Sequence, residues 1–106
     1  MDLPQKMQNV RAKAIDILGD KVHVYIEPPS NVKISYPALV IFRSSGYSKF
    51  ANNMTYKFNN SFSLTYIDYE PDSPNVEKLI MGFPMIRLNR HFTSDNLHHD
   101  NFILYY

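Results

Sequence analysis

Apolar positions recur every three or four residues at the start of the chain, at Leu3, Met7, Val10, Ala14, Ile17 and Leu18, while Gln5, Lys6, Arg11 and Lys13 take the opposite face. That spacing predicts an amphipathic helix. Asp2 suits its N-cap, Pro4 its first turn and Gly19 a left-handed stop. The pattern then shortens. Residues 22–26 predict a brief strand closed by Pro28-Pro29, and 36–43 a second strand. Its run Ala38-Leu39-Val40-Ile41-Phe42 does not alternate, so burial on both faces is expected. Residues 44–53 form a loop by composition, with Gly46 and Asn52-Asn53 as turn residues. The longest strand is expected over 56–69, where Phe58, Phe62, Leu64 and Tyr66 interleave with Ser61, Ser63 and Thr65.

The segment Asp68-Tyr69-Glu70-Pro71-Asp72 ends that strand. Ser73 as N-cap and Pro74 at the first helical position open a second helix, with Val76, Leu79 and Ile80 as its inner stripe, Gly82 as its end and Pro84 as a block to continuation. A strand over 85–92, with Ile86, Leu88 and Phe92 on one face, leads through a turn at 93–96 into a last strand. There Phe102, Leu104 and Tyr106 fall at period two and predict a structural, packed strand. The resulting order predicts one α+β domain over residues 1–106. Its sheet is mainly antiparallel, with four to five strands, an N-terminal helix and a second short helix.

Composition narrows the function. Net charge is +1, with 11 basic and 10 acidic residues, which argues against a dedicated nucleic-acid binder, normally marked by a basic face. There is no cysteine, so neither disulfides nor thiolate zinc sites can form, as suits a reducing cytoplasm. Neither a signal-peptide core nor a membrane-length apolar run is visible in the pattern, so no membrane role is expected. Eight Tyr and seven Phe are more aromatic surface than a small core requires, which points to a Tyr-rich sheet core or a subunit interface.

Two polar clusters could carry chemistry. Asp68 and Glu70, two apart, share a face of an extended segment and with Asp72 could hold a divalent cation. As a calcium loop the spacing fails, because position six is Ser73 where glycine is needed and position twelve is Leu79 where glutamate is needed. The plainer reading is a strand-to-helix turn whose acids sit near a helix N-terminus. In the second cluster, His91 could approach His98 or His99 across a hairpin, with Asp95 or Asp100 nearby. Adjacent histidines point to opposite faces, so one at most could join His91; turn-flanking polar residues are the plainer account. No serine lies in a nucleophile elbow and Gly46 has no phosphate-cradling neighbours. The stretch 47–58 interleaves aromatics with Lys49 and Lys57, a pattern that suits single-stranded nucleic acid but with little charge behind it. Arg90 shares parity with Ile86 and Leu88, so a structural salt bridge to Asp68, Glu70 or Asp95 is expected. No catalytic set, cofactor or metal site emerges.

Several stretches together resemble the small tail-completion proteins, or tail terminators, of long-tailed bacteriophages of Gram-positive hosts. They are Tyr36-Pro37-Ala38, Phe50-Ala51-Asn52-Asn53 with Tyr56, the corner Asp68-Tyr69-Glu70-Pro71-Asp72-Ser73, Lys78-Leu79, Phe83-Pro84, Arg90, Phe92, Asp95-Asn96-Leu97, His99-Asp100 and Leu104-Tyr105-Tyr106. The similarity covers nearly all of the chain after the first helix; Tyr69-Glu70 departs from it, where a more polar pair is expected. The resemblance implies a tail-terminator-like fold and a non-enzymatic virion protein at the head–tail junction, or neck. Such a subunit forms a homo-oligomeric ring, often a hexamer, assembled in the host bacterial cytoplasm. The ring caps the tail tube, joins it to the head connector and lets DNA pass through its lumen without specific binding. A head-completion or minor capsid protein is the sister reading. A small metal-dependent nuclease using the acidic corner or the histidines is the alternative from another class. A closed heterologous ring needs two different patches per protomer. These are expected on the loop (Tyr47, Phe50, Asn52, Asn53, Tyr56) and on the acidic corner (Asp68, Glu70, Asp72).

Overall fold

The computed structural model describes residues 3–43 and 61–106. The first apolar stripe folds as α1 (Leu3–Leu18), and Met7, Val10, Ala14 and Leu18 are its buried face. Gly19 terminates it at φ +83°, with its N–H donating to the Ile15 carbonyl at 2.8 Å. Asp2 lies outside the described residues. Five strands follow: β1 (His23–Ile26), β2 (Ala38–Arg43), β3 (Ser61–Asp68), β4 (Ile86–Ser94) and β5 (Leu97–Tyr105), with α2 (Pro74–Gly82) between β3 and β4. They form a single sheet in the order β1-β2-β3-β5-β4. Only the β1–β2 pairing is parallel, and the other three are antiparallel. The fold is therefore α+β, with a mainly antiparallel sheet.

Both helices cover the same face. Leu39 and Ile41 of β2, Phe62, Leu64 and Tyr66 of β3, and Phe102 and Leu104 of β5 join the buried side of α1 and Leu79 and Phe83 of the α2 region in one core. Each large apolar side chain buried this way contributes roughly 1.5–3 kcal/mol, so this layer dominates the stability. The other face carries a smaller cluster. There the connection between β1 and β2 returns across the sheet and lays Ile34 and Tyr36 against Val40, Ile67 and Leu97. These two layers bury β2 on both faces from Ala38 to Ile41, as its apolar run predicts, but Phe42 at the end of that run is exposed.

The β4–β5 hairpin closes on Asp95 (φ 54°) and Asn96 (φ 63°), the consecutive left-handed residues that a tight two-residue turn requires. Three expectations need correction. Arg90 does not reach the helix side, because β4 bulges between Leu88 and Arg90. Before the bulge Leu88 faces Phe102; after it Arg90 faces Asn101, His91 faces Asp100 and Phe92 faces His99. The extra residue flips the parity. Phe92 thus lies on the far face, and the Arg90 guanidinium lies 4.7 Å from its ring centroid. No salt bridge joins Arg90 to Asp68, Glu70 or Asp95; among the described residues Arg43 pairs with Glu27, and His91 Nδ1 lies 2.7 Å from Asp100 Oδ1.

The inner stripe of α2 is also shifted. Leu79 is fully buried and Val76 half-buried, but Ile80 stays exposed and Phe83, just past the helix, is buried in its place. Gly82 does not adopt a left-handed cap: Phe83 caps the helix in extended conformation, with its N–H donating to the Leu79 carbonyl at 3.2 Å. Gly82 instead marks a close approach to α1: a Cβ there would meet the side chain of Ile17, which would have to shift.

Candidate functional site: the groove beside the second helix

The acidic corner is built around one phenol. Tyr66 projects from β3 toward the helices, and its hydroxyl donates to Asp68 Oδ2 at 2.6 Å, accepts from Asn75 Nδ2 at 2.8 Å and lies 3.0 Å from Ser73 Oγ. Burial pushes its pKa up, and the neighbouring Asp68 carboxylate adds to that, while the bonds from Asn75 and Ser73 oppose it. Asp68 Oδ1 accepts the Glu70 N–H at 3.2 Å, a local turn bond. Ser73 caps α2 by accepting the Asn75 N–H at 3.3 Å. Asp68 therefore has both oxygens engaged in holding the corner. Glu70 and Asp72 remain exposed.

Beyond this corner, an open groove with a volume of about 620 Å³ runs between α2 and the hairpin. Pro71, Asp72, Ser73 and Pro74 form one end; Val76, Glu77 and Ile80 line the helix wall; Leu88, His91 and Asp100 line the sheet wall. Three carboxylates face it, and no Lys or Arg does. Asp100 is buried and sits 2.7 Å from His91 Nδ1, which fixes the imidazole on the helix side. His98 stacks on His91 with centroids 5.9 Å apart, and Thr93 Oγ1 lies 3.3 Å from His98 Nδ1. His99 points to the other face and stacks on Phe92 at 4.5 Å. One histidine joins His91 and the other does not, as adjacent positions on a strand require. Ile80 (42% exposed) and Leu88 (47%) make the groove apolar as well as acidic, and Met81 (79%) and Met85 (56%) extend that character outward.

No protein-family model, curated protein or solved structure matches the chain. Among the described residues no group of three or more His, Asp or Glu is arranged to hold a metal ion. No helix among them is long and apolar enough to cross a membrane.

Of the residues singled out from sequence, Asp72 lines the groove, Asp68 holds the corner from behind and Glu70 stands outside it. Tyr47, Phe50, Asn52, Asn53 and Tyr56 lie outside the described residues. Sequence reasoning missed Glu77, Ile80 and Leu88 as site residues, whereas His91 and Asp100, grouped there as a polar cluster, do line the sheet wall of the groove. One signal was available: Ile80, Met81, Met85 and Leu88 crowd large apolar side chains around the end of α2, more than one inner stripe can bury.

Proposed function

We propose that this protein is a non-enzymatic structural subunit that assembles with copies of itself into a ring at the head–tail junction of a long-tailed bacteriophage. In this reading it caps the tail tube, joins it to the head connector and leaves a lumen through which DNA passes. The observation that carries the reading is the α2–β4 edge. A small protein with a well-filled core leaves Ile80, Met81, Met85 and Leu88 in water beside a groove lined by carboxylates. Such exposed apolar surface rimmed by polar groups marks a place where another molecule docks.

The sheet's outer strands support ring formation through side-chain patches and oppose sheet extension. β1 is four residues long and runs into Glu27 at φ 41° and then Pro28-Pro29. β4 carries the bulge and the exposed Arg87 and Arg90. Short length, bulges and charges are the devices that prevent edge-to-edge pairing. Near-neutral net charge suits a channel through which DNA slides. The family resemblance in the corner and the hairpin supplies the location in the virion and the hexameric ring.

The test is to block the gene in the genome that encodes it and examine the lysate by electron microscopy. Filled heads and separate tails are expected. Joined, infectious particles would overturn the reading, and copurification with filled heads alone would favour head completion over tail completion.

A further inference from the structure

We propose that the α2–β4 groove is the socket for the segment 44–60 of a second copy of this chain. This contact rests on the ring reading and makes its two patches partners of each other. The groove presents Asp72, Glu77 and Asp100 with no Lys or Arg among its lining residues. Segment 44–60, which joins β2 to β3, contains Lys49 and Lys57 and neither Asp nor Glu. Opposite potentials on two patches of one chain favour association between copies and set its orientation.

Apolar chemistry matches as well. Tyr47, Phe50, Tyr56 and Phe58 of the segment are the rigid, large side chains that anchor interfaces, and Val76, Ile80 and Leu88 supply an apolar wall to receive them. Buried Asp100, 2.7 Å from His91 Nδ1, is part of the sheet wall, so this carboxyl group is already positioned before an incoming lysine arrives. Position along the fold completes the case. The segment leaves the sheet where Arg43 pairs with Phe62, while the acidic turn follows Asp68 at the far end of β3. A strand of that length separates the two by roughly 20–25 Å. The residues that flank the segment, Arg43 and Ser61, therefore lie at the opposite end of β3 from the acidic turn, which makes the segment and the groove two different patches of the chain, as a head-to-tail contact requires.

The chain has no native cysteine, so Leu88→Cys places a benzophenone label at one position of the full-length protein, on the exposed wall of the groove. Equal amounts of ordinary and nitrogen-15 chains are mixed, irradiated and digested, and the cross-linked peptides are weighed. Mixed-isotope pairs joining position 88 to residues 44–60 are expected. Asp72→Lys with Glu77→Lys should lower their yield at least about tenfold, and Lys49→Glu with Lys57→Glu on the other chain should restore it. Cross-links within one isotope only, or to another part of the second copy, would overturn the contact. If light scattering shows a larger species while the cross-links fall elsewhere, this contact fails and the ring reading stands. A chain that stays monomeric at every concentration removes both.

Discussion

The sheet under α1 and the edge beside α2 are built from similar residues and end in opposite states. At the centre, Phe62, Leu64, Phe102 and Leu104 are sealed by Met7, Val10 and Ala14, and nothing there is left for another molecule. At the edge, Ile80 and Leu88 face each other across an open groove with carboxylates around them. The difference lies in helix coverage. α1 spans sixteen residues and closes its part of the sheet, whereas α2 spans nine and its buried residue is Leu79. The lesson is that hydrophobicity alone does not separate core from interface; which side chains remain uncovered after the helices are placed does so.

The sharpest way to break this comparison is truncation on each side. Phe62→Ala should cost about 3–5 kcal/mol, as a buried ring removed from a filled core does. Leu88→Ala should stay within about 0.5 kcal/mol, because its side chain is not sealed. Urea titration of both variants checks this, and equal losses would mean that the edge is core after all.

Tyr66 lies on the border between the two regions. Tyr66→Phe leaves Asn75 and Ser73 without their buried partner and should cost roughly 1–3 kcal/mol. The folded phenol has a raised pKa, so the folded state holds its proton longer than the unfolded chain does. Its stabilising contribution is complete below the ordinary tyrosine value of about 10 and declines as pH rises past that value toward the folded one. Stability measured against pH should fall less steeply above that point in Tyr66→Phe than in the wild type.

Gly82→Ala probes how α2 is seated on α1. The added Cβ meets Ile17 and should cost about 1–3 kcal/mol of overpacking, against roughly 1 kcal/mol of helix propensity regained. In an Ile17→Ala background the collision is gone, so the same substitution should become neutral or stabilising by thermal melting. A small effect is expected at Glu27, where hydrogen bonds from Arg43, the side chain's first and the backbone's second, hold the carboxyl below its usual pKa. Its contribution is present above the ordinary glutamate value and lost as pH falls through the lower folded one. Glu27→Gln should remove only about 0.2–1 kcal/mol of stability at neutral pH and flatten the acid limb of the stability curve.

Much of the fold was legible because its signals are local. The stripe of α1, the Gly19 stop, the Ser73 cap and the turn at Asp95-Asn96 each depend on residues within one turn of each other. What escaped depends on partners distant in sequence. The bulge at Asn89 is set by register against β5, and it moved Arg90 and Phe92 to one face and His91 to the other. The preference of α2 for Phe83 over Ile80 is set by where α1 and the sheet lie. In the site, Asp72 was visible as part of an acidic run, but Asp100 joins it only because β5 returns beside β3. The parallel pairing of β1 was equally hidden, since no helix marks the connection at 27–37.

Sedimentation equilibrium of the wild type beside Leu88→Asp tests most directly whether the uncovered edge is where copies meet. The account expects the wild type to form one closed oligomer, and the variant to remain a folded monomer that still melts cooperatively, its midpoint lowered only by the association it has lost. A wild type that never associates, or a variant that assembles as the wild type does, would contradict it.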